Sequence, residues 1–379
     1  MMKKQQIAGL LASFMLVTGI SVYAEETVVS HVTNTTATMT IDDALAYAQE
    51  HSLAIASANS AINEKRYTLT TTRQTRESLQ KSEFWTPTSF DEGLMVSELS
   101  EKSAKIQLEI AQRKLLSEQT KLKIQVKSDF YTYLSTKDKA EIARTNLKSA
   151  QEKLDYAKVK KDSGAISELE YTSFELAVKN AQNAVNQAER AIDLAELKVK
   201  FTLNYPSENE LILQGSFQTP TIAVKNADEA VALSKFHVDY LTLADAFSLA
   251  EMRWSQAQNW YFPIQPGYEI ERAAYQSAQA DYQKNTNDLE MGIRTLFDNL
   301  QTIKESTQYM QENVALLQRS TDAAKLQYEM GMITANDLID KQQQYFNAQN
   351  QLKDLELSYL TTALQYRAMY TYEDDGSIQ

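Results

Sequence analysis

Between residues 177 and 195, Ala177, Ala181, Ala184, Ala188, Ala191 and Ala195 recur at spacings that alternate between four and three. That alternation is a heptad seam, and small side chains at both core positions let two helix backbones approach closely. A second row, Val178, Val185, Ile192 and Val199, recurs every seven residues on a neighbouring face. Its equivalents further along the chain are Tyr345, Leu352, Tyr359 and Tyr366. A helix with two adjacent seams can pack against two neighbours, which suits a closed ring of helices. The simpler alternative is that one seam is core and the other only covers it. The remaining face is largely Gln, Asn, Ser, Thr, Lys and Glu, which fits a polar wall around water or an ordinary solvated surface.

The helix breakers define where such helices run. All five prolines (Pro87, Pro206, Pro220, Pro263 and Pro266) lie in three short zones. Neither Gly nor Pro occurs between Gly93 and Gly164, or between Gly164 and Pro206. After Gly267 only Gly292 interrupts the chain before Gly331, and then nothing does until Gly376. Pro breaks helix interiors and Gly weakens them, so these gaps predict uninterrupted helices. A helix over Glu98–Asp162 would be roughly 95 Å long at about 1.5 Å per residue, which predicts an elongated, all-α protein with little or no β-structure.

The chain also repeats itself. The text around Gly164 superposes on that around Gly331 at an offset of 167 residues. Ile166 then meets Ile333, Ser167 meets Thr334, Glu170 meets Asp337, and Asn180-Ala181-Gln182-Asn183 meets Asn347-Ala348-Gln349-Asn350. Near the unit starts the offset is 186, pairing Asp42-Asp43-Ala44 with Asp228-Glu229-Ala230 and His51 with His237. The first copy therefore carries extra residues, most of them expected in 74–99. Each unit reads as short helix, interruption, long helix, glycine turn, long helix, so the fold expected is two tandem antiparallel helical hairpins. The division is signal peptide 1–24, extension 25–39, first repeat 40–206, linker 207–226, second repeat 227–372 and tail 373–379. Gly164 and Gly331 fall at the hairpin tips. Leu211-Ile212-Leu213 in the linker is either a single strand or extended coil.

Residues 1–24 have the charge, apolar run and small terminal residue of a secretory signal, with Lys3 and Lys4 ahead of residues 7–22 and Ala24 at the end. An uncleaved anchor helix is the alternative. Beyond this segment no stretch of ~18 apolar residues occurs to span a bilayer. Cysteine is absent, so packing rather than disulfides must stabilise an exported chain. The formal net charge of −12 argues against nucleic acid as a partner, because phosphate binding needs clustered Lys and Arg. No catalytic motif is present. His31 lies in the N-terminal extension, and the paired His51 and His237 suggest structural roles. Neither enzyme activity nor a cofactor is expected.

At this point a resemblance becomes specific. The opening T-I-D-D-A-L-A-Y-A-Q-E-H-S from Thr40, the tip G-x-I-[ST]-x-x-[DE] ahead of a Gln/Ala-rich helix, and the ending F-T-L-N-Y-P at 201–206 are similar to the TolC, or outer-membrane efflux protein, family. The resemblance covers roughly 40–372. It implies a homotrimer of two-repeat subunits forming a long α-helical tunnel, an α-barrel, in the cell envelope. It implies partnership with a periplasmic-type adaptor (a membrane fusion protein) and an inner-membrane transporter. It further implies a tip gate in which Asp337 and Asp340 narrow the tunnel, with Tyr328 and Glu170 helping to hold the closed tip. The basic residue to which the family links these groups is replaced here by Ile333.

Asp337 and Asp340 are three apart and share a helix face. Three-fold assembly would stack them as two carboxylate rings, raising their pKa values and attracting cations. The alternative is that both are exposed helix-start acids that complement the N-terminal dipole after Gly331. The chain departs from the family where typical members insert two membrane-spanning strands per unit. A spanning strand needs ~9–11 residues, and the interruptions at 84–96 and 260–269 hold no such pair. Their aromatic clusters, Phe84-Trp85 and Trp260-Tyr261-Phe262, suit either a bundle cap or a membrane interface. The function expected is a passive efflux duct. The alternatives are a non-transporting envelope scaffold built from the same hairpins and, less compatible with the two-copy pattern, a coiled-coil adhesin.

Overall fold

The computed structural model describes residues 37–82, 86–218 and 220–371. The signal peptide, His31, Phe84, Trp85 and the tail lie outside the described residues. The expected all-α fold is found. The elements in order are β1 (Ala37–Met39), α1 (Ile41–His51), α2 (Leu53–Gln80), α3 (Phe90–Val96), α4 (Glu98–Asp162), α5 (Glu168–Leu203), β2 (Leu211–Leu213), α6 (Ala227–Ser234), α7 (Val238–Trp260), α8 (Pro266–Glu329) and α9 (Ala335–Ala368). α4 lies wholly within the span free of Gly and Pro and ends just before Gly164, whereas its start is set by the break at Ser97 inside that span. Gly292 does not interrupt α8, because neighbouring hydrogen bonds carry the helix through a single weak former.

Local chemistry starts the helices. Thr40 caps α1 in a capping box, its hydroxyl accepting from the Asp43 N–H while the Asp43 carboxylate accepts from the Thr40 N–H. Asn226 caps α6 at the matching start of the second copy. Pro266 occupies the first turn of α8, where its missing N–H costs nothing.

The helices lie side by side. In the half nearest the tips, α4 packs against both α5 and α9, and α9 packs against α8, giving the order α5–α4–α9–α8 along the helices; α9 also touches α5, and at the tips themselves α5 and α8 meet through Phe174 and Tyr328. In the other half, α2 and α7 take the places of α5 and α9, giving α2–α4–α7–α8. The seams explain the close approach. Ala143, Ala150 and Ala157 are buried along α4 at heptad spacing, and Ala181, Val185, Ala195 and Val199 are buried on α5. Ala191, in the same row, is exposed. Polar ties fix the register: Arg113 of α4 pairs with Asp245 of α7, Lys139 pairs with Asp354, and Lys353 reaches Asp138 at 3.1 Å between α4 and α9. Arg73 and Arg76 of α2 both hold Glu101.

The buried apolar side chains form separate clusters along this array. The largest is a mid-body collar where β1, α1 and β2 close over Val126, Phe130 and Leu134 of α4 and Leu203 of α5. The linker run Leu211–Leu213 is a strand, and it pairs in parallel with Ala37–Met39 from the N-terminal extension, Thr38 opposite Ile212. Residues 37–39 are thus tied to the linker. Asp129 is buried in the collar, bonded to Thr202 at 2.6 Å and Gln125 at 2.8 Å and paired with Lys198 at 2.8 Å. That arrangement satisfies a buried carboxylate and fastens α4 to α5. A second cluster joins α6 to α8 and the end of α9 through Ile293, Leu300 and Tyr366. The two repeat-equivalent histidines differ. His51 stacks on Tyr47 at 4.0 Å, whereas His237 is buried at the start of α7 and burial pulls its pKa down.

Where the family resemblance implies strands, the described residues form short links between helices. Among the described residues the link from α2 to α4 contains only α3, and five residues join α7 to α8. Among the described residues no helix is long and apolar enough to cross a membrane.

Two contacts generate predictions. Open space surrounds the position where a Gly292 Cβ would stand, so Gly292→Ala should raise stability by about 1 kcal/mol in chemical denaturation. Lys153 of α4 is directed at Gln342 of α9, which in turn donates to Asn146. Burial, then the nearby Lys325, pulls the Lys153 ammonium down to about 8. The folded value lies below the ordinary 10.5, so the cost of the charge is fully present at pH 7. It is relieved as pH rises through 8, where the fold sheds its proton first. Lys153→Met should raise the melting temperature at pH 7 and lose this rise in stability between pH 8 and 10.5.

Candidate functional site at the hairpin tips

The motif shared by the two tips is a complete turn in seven residues. At the first tip Gly164 has φ 73°, a conformation that glycine adopts without the Cβ penalty. The Ala165 N–H donates to Lys160 O at 2.8 Å and the Gly164 N–H to Lys161 O at 2.8 Å. This is a Schellman C-cap. At the second tip Gly331 has φ 74°, with the Met332 N–H to Gln327 O at 2.8 Å and the Gly331 N–H to Tyr328 O at 3.0 Å. Three residues after each glycine a hydroxyl starts the return helix. Ser167 accepts from the Glu170 N–H at 3.2 Å, and Thr334 accepts from the Asp337 N–H at 3.2 Å. The pattern G-x-I-[ST]-x-x-[DE] thus encodes a stop, a turn and a restart.

The acids at the third helical position behave differently in the two copies. Asp337 turns back on its own cap, accepting from the Thr334 N–H at 2.9 Å and the Thr334 hydroxyl at 2.7 Å. Those two bonds hold its carboxyl below the ordinary range. Glu170 instead keeps its carboxylate turned toward Tyr328. Tyr328 is buried under Phe174, at 5.7 Å and edge-on, with Ala157, Ala324 and Leu338 around it. Burial first, and the neighbouring Glu170 carboxylate second, push its phenol up to about 12. No hydrogen bond of normal geometry reaches the Tyr328 hydroxyl.

The tips therefore bring Tyr328 and Glu170 together within one chain, joining the end of α8 to the start of α5. Sequence reasoning missed the basic residue of this cluster. Ile333 packs into the apolar tip as expected of its type. The cation comes from the other hairpin: Lys160 lies 4.5 Å from the Tyr328 ring centre and 4.8 Å from that of Tyr156, a cation–π geometry. Lys161 beside it pairs with Glu168 at 2.8 Å. The signal was present as Lys160-Lys161 ahead of Gly164, but only the fold says which ring they meet.

Asp337 and Asp340 are both exposed on α9. In the isolated chain Asp337 takes the helix-start role, with its carboxyl lowered rather than raised. The raised pKa expected of stacked rings is a property of neighbouring copies, which a single chain does not contain. The aromatic cluster at the opposite end divides. Trp260 and Tyr261 pack on Phe90 at 6.2 and 5.3 Å as a cap, whereas Phe262 is exposed.

Comparison with known proteins agrees with this geometry. Residues 265–370, which span α8, the second tip and α9, match the family model for outer membrane efflux protein. The fold as a whole is that of efflux channels. A structure of CusC, described in connection with transmembrane channel formation, superposes with a TM-score of 0.74 at 11% identity, covering 87% of this chain and 91% of that one. The Campylobacter jejuni outer membrane channel CmeC gives 0.69 at 12% identity over 89% and 86%. The open state of the Neisseria gonorrhoeae outer membrane channel MtrE gives 0.69 at 12% over 88% and 90%. No curated protein sequence matches the chain. The family resemblance read from the sequence is borne out, on the second hairpin in sequence and across both hairpins in fold.

The cap chemistry predicts an acid limb. Because the folded pKa of Asp337 is depressed, its contribution is present above the unfolded carboxylate value of about 4 and is lost as pH falls through the folded value. Asp337→Asn should flatten that part of the acid denaturation profile of the isolated chain. Thr334→Ala, which removes the cap hydroxyl, should cost about 1 kcal/mol in urea unfolding.

Proposed function

We propose that this chain is a passive duct of a cell-envelope export system, assembled as a homotrimer and energised by partners. The observation that carries the reading is the pair of unsatisfied edges on the helical array. On α5, Leu169, Leu176, Leu194, Leu197 and Phe201 are exposed and fall within about 80° of arc at 100° per residue. On α8, Met291, Tyr309 and Leu316 are exposed and fall within about 20°, while Leu326 and Ile270, also exposed, lie roughly 60–100° to either side. These helices are the two outer members of the tip-half array. An apolar stripe on each outer helix fits side-by-side contact, α5 of one copy on α8 of the next. Such a head-to-tail contact gives a ring if the rotation closes. The resemblance in fold to efflux channels supports three copies.

In that ring the exposed Asp337 and Asp340 would form two carboxylate layers near the tips, where like charges push their pKa values up and cations gather. Assembly would thus reverse the direction of the Asp337 shift. The signal-like composition of residues 1–24 supports a place for the duct in the envelope. The sequence has no nucleotide-binding motif, so the driving force would come from an inner-membrane transporter reached through a periplasmic-type adaptor docked at the tips. One observation favours a second reading, a non-transporting envelope scaffold: the described residues between α2 and α3 and between α7 and α8 form only short links where membrane-spanning strands would be needed for a conventional outer-membrane pore.

Replacing Asp337 and Asp340 together with Ala separates the two. A gate predicts altered cation leak or drug tolerance in cells, with unchanged folding by circular dichroism. An unchanged transport phenotype, with equal protein levels, would favour the scaffold.

A further inference from the structure

The end opposite the tips carries a feature that the duct reading does not use. The five residues between α7 and α8 form a turn whose apex is apolar: Ile264 is 90% exposed and Phe262 is 73% exposed. Ile270, one turn into α8, is 66% exposed. No charged side chain occurs from residue 254 to residue 268, in a chain that is 23% charged. Water alone gives no reason to present two large apolar side chains on such an apex.

Three observations identify what the apex faces. First, its backbone is largely self-sufficient. Pro263 and Pro266 have no N–H, the Phe262 N–H donates to the Gln265 side chain at 2.8 Å, and the Gln265 N–H donates to Phe262 O at 2.9 Å. The bonded donors can leave water without being stranded, while the Ile264 N–H, which has no backbone partner, is met by water or a lipid headgroup at the bilayer's outer edge. Second, the side chains are graded. Behind the wholly apolar apex stand Trp260 and Tyr261, ring bodies with one polar atom each, the residues favoured at a membrane–water boundary. Third, the charges begin only behind them and pair among themselves with no cationic excess: Arg253 is held by Glu271 at 2.7 Å and Asp91 at 3.1 Å, and Arg272 by Glu269 at 3.4 Å. The turn is also rigid. The Trp260 ring fills the space where a Gly93 side chain would begin, and the Tyr261 ring does the same at Gly267.

We infer that the α7–α8 turn is a monotopic membrane wedge, which seats Phe262 and Ile264 in the outer part of a lipid bilayer and leaves the helices outside it. The bilayer it fits is electrically neutral at its surface, because the flanking charges offer no net cationic attraction to anionic lipid. A second copy is a poorer occupant, since the edges suited to self-association run along the helix flanks. The inference does not rest on the duct reading, because a single chain presents the same wedge.

The test is flotation of the chain from residue 25 onward with phosphatidylcholine vesicles. The wild-type protein should float, and 0.5 M salt should not release it. Phe262→Ser with Ile264→Ser should lower the partition coefficient by about tenfold or more, with an unchanged melting temperature and oligomeric mass. Three outcomes would overturn the inference: no flotation of wild type, equal flotation of the double variant, or release by salt. Loss of an end-to-end dimer in the variant, without any vesicle binding by wild type, would reassign the turn to self-contact. Flotation of a protein that never forms rings would sink the duct and leave the wedge standing, and rings that ignore vesicles would do the reverse.

Discussion

Everything in this protein follows from the need to support two very long helices along their whole length. α4 has 65 residues and α8 has 64, about 95 Å each. Tertiary contact rather than propensity holds most protein helices, and neither of these has a broad apolar face. Support comes from partners on both sides. Small residues make this possible, because alanine at heptad positions lets neighbouring backbones approach closely enough for weak contacts to accumulate. The same solution leaves the array open. Each outer helix carries a stripe with no partner in the chain, and the proposed trimer is the assembly that covers both stripes at once.

Much of this was legible in the sequence because it is written in local rules. The absence of Gly and Pro made α4 legible as one uninterrupted helix ending before Gly164, although the break at Ser97 that starts it lies inside the same span. The tip motif was legible because each of its positions has one physical job, glycine for the left-handed turn and a hydroxyl for the cap. The pairing of Ala37–Met39 with Leu211–Leu213 was not legible. Three-residue strands far apart in sequence carry no periodic signal, and only the collar that buries Leu211 and Leu213 makes them worth pairing. Lys160 was missed for a related reason. Its partner ring, Tyr328, lies on the other hairpin, and the substitution of Ile333 drew attention to the wrong position. The opposite behaviour of Glu170 and Asp337, equivalent in sequence, was also hidden. Thr334 captures the shorter Asp337 side chain, whereas Ser167 caps only the backbone of Glu170.

The two ends of the array are chemically unlike. The tips are dense in Lys, Asp and Glu around a buried tyrosine, and they suit recognition by another protein and control of ions. The other end has an uncharged apex and paired charges behind it. A duct that reaches a bilayer through a wedge, rather than through a barrel of its own, would need the membrane or a partner to complete the conduit.

The most direct measurement of the central claim is electron microscopy of the exported chain, purified with and without detergent, together with its mass by light scattering. The account predicts hollow cylinders of three subunits with a wall one helix thick, and their loss when Leu176 and Leu197 on α5 are both replaced with Glu. A uniform single-chain particle under both conditions, unchanged by those substitutions, would contradict the claim that the exposed stripes on α5 and α8 exist to close a ring.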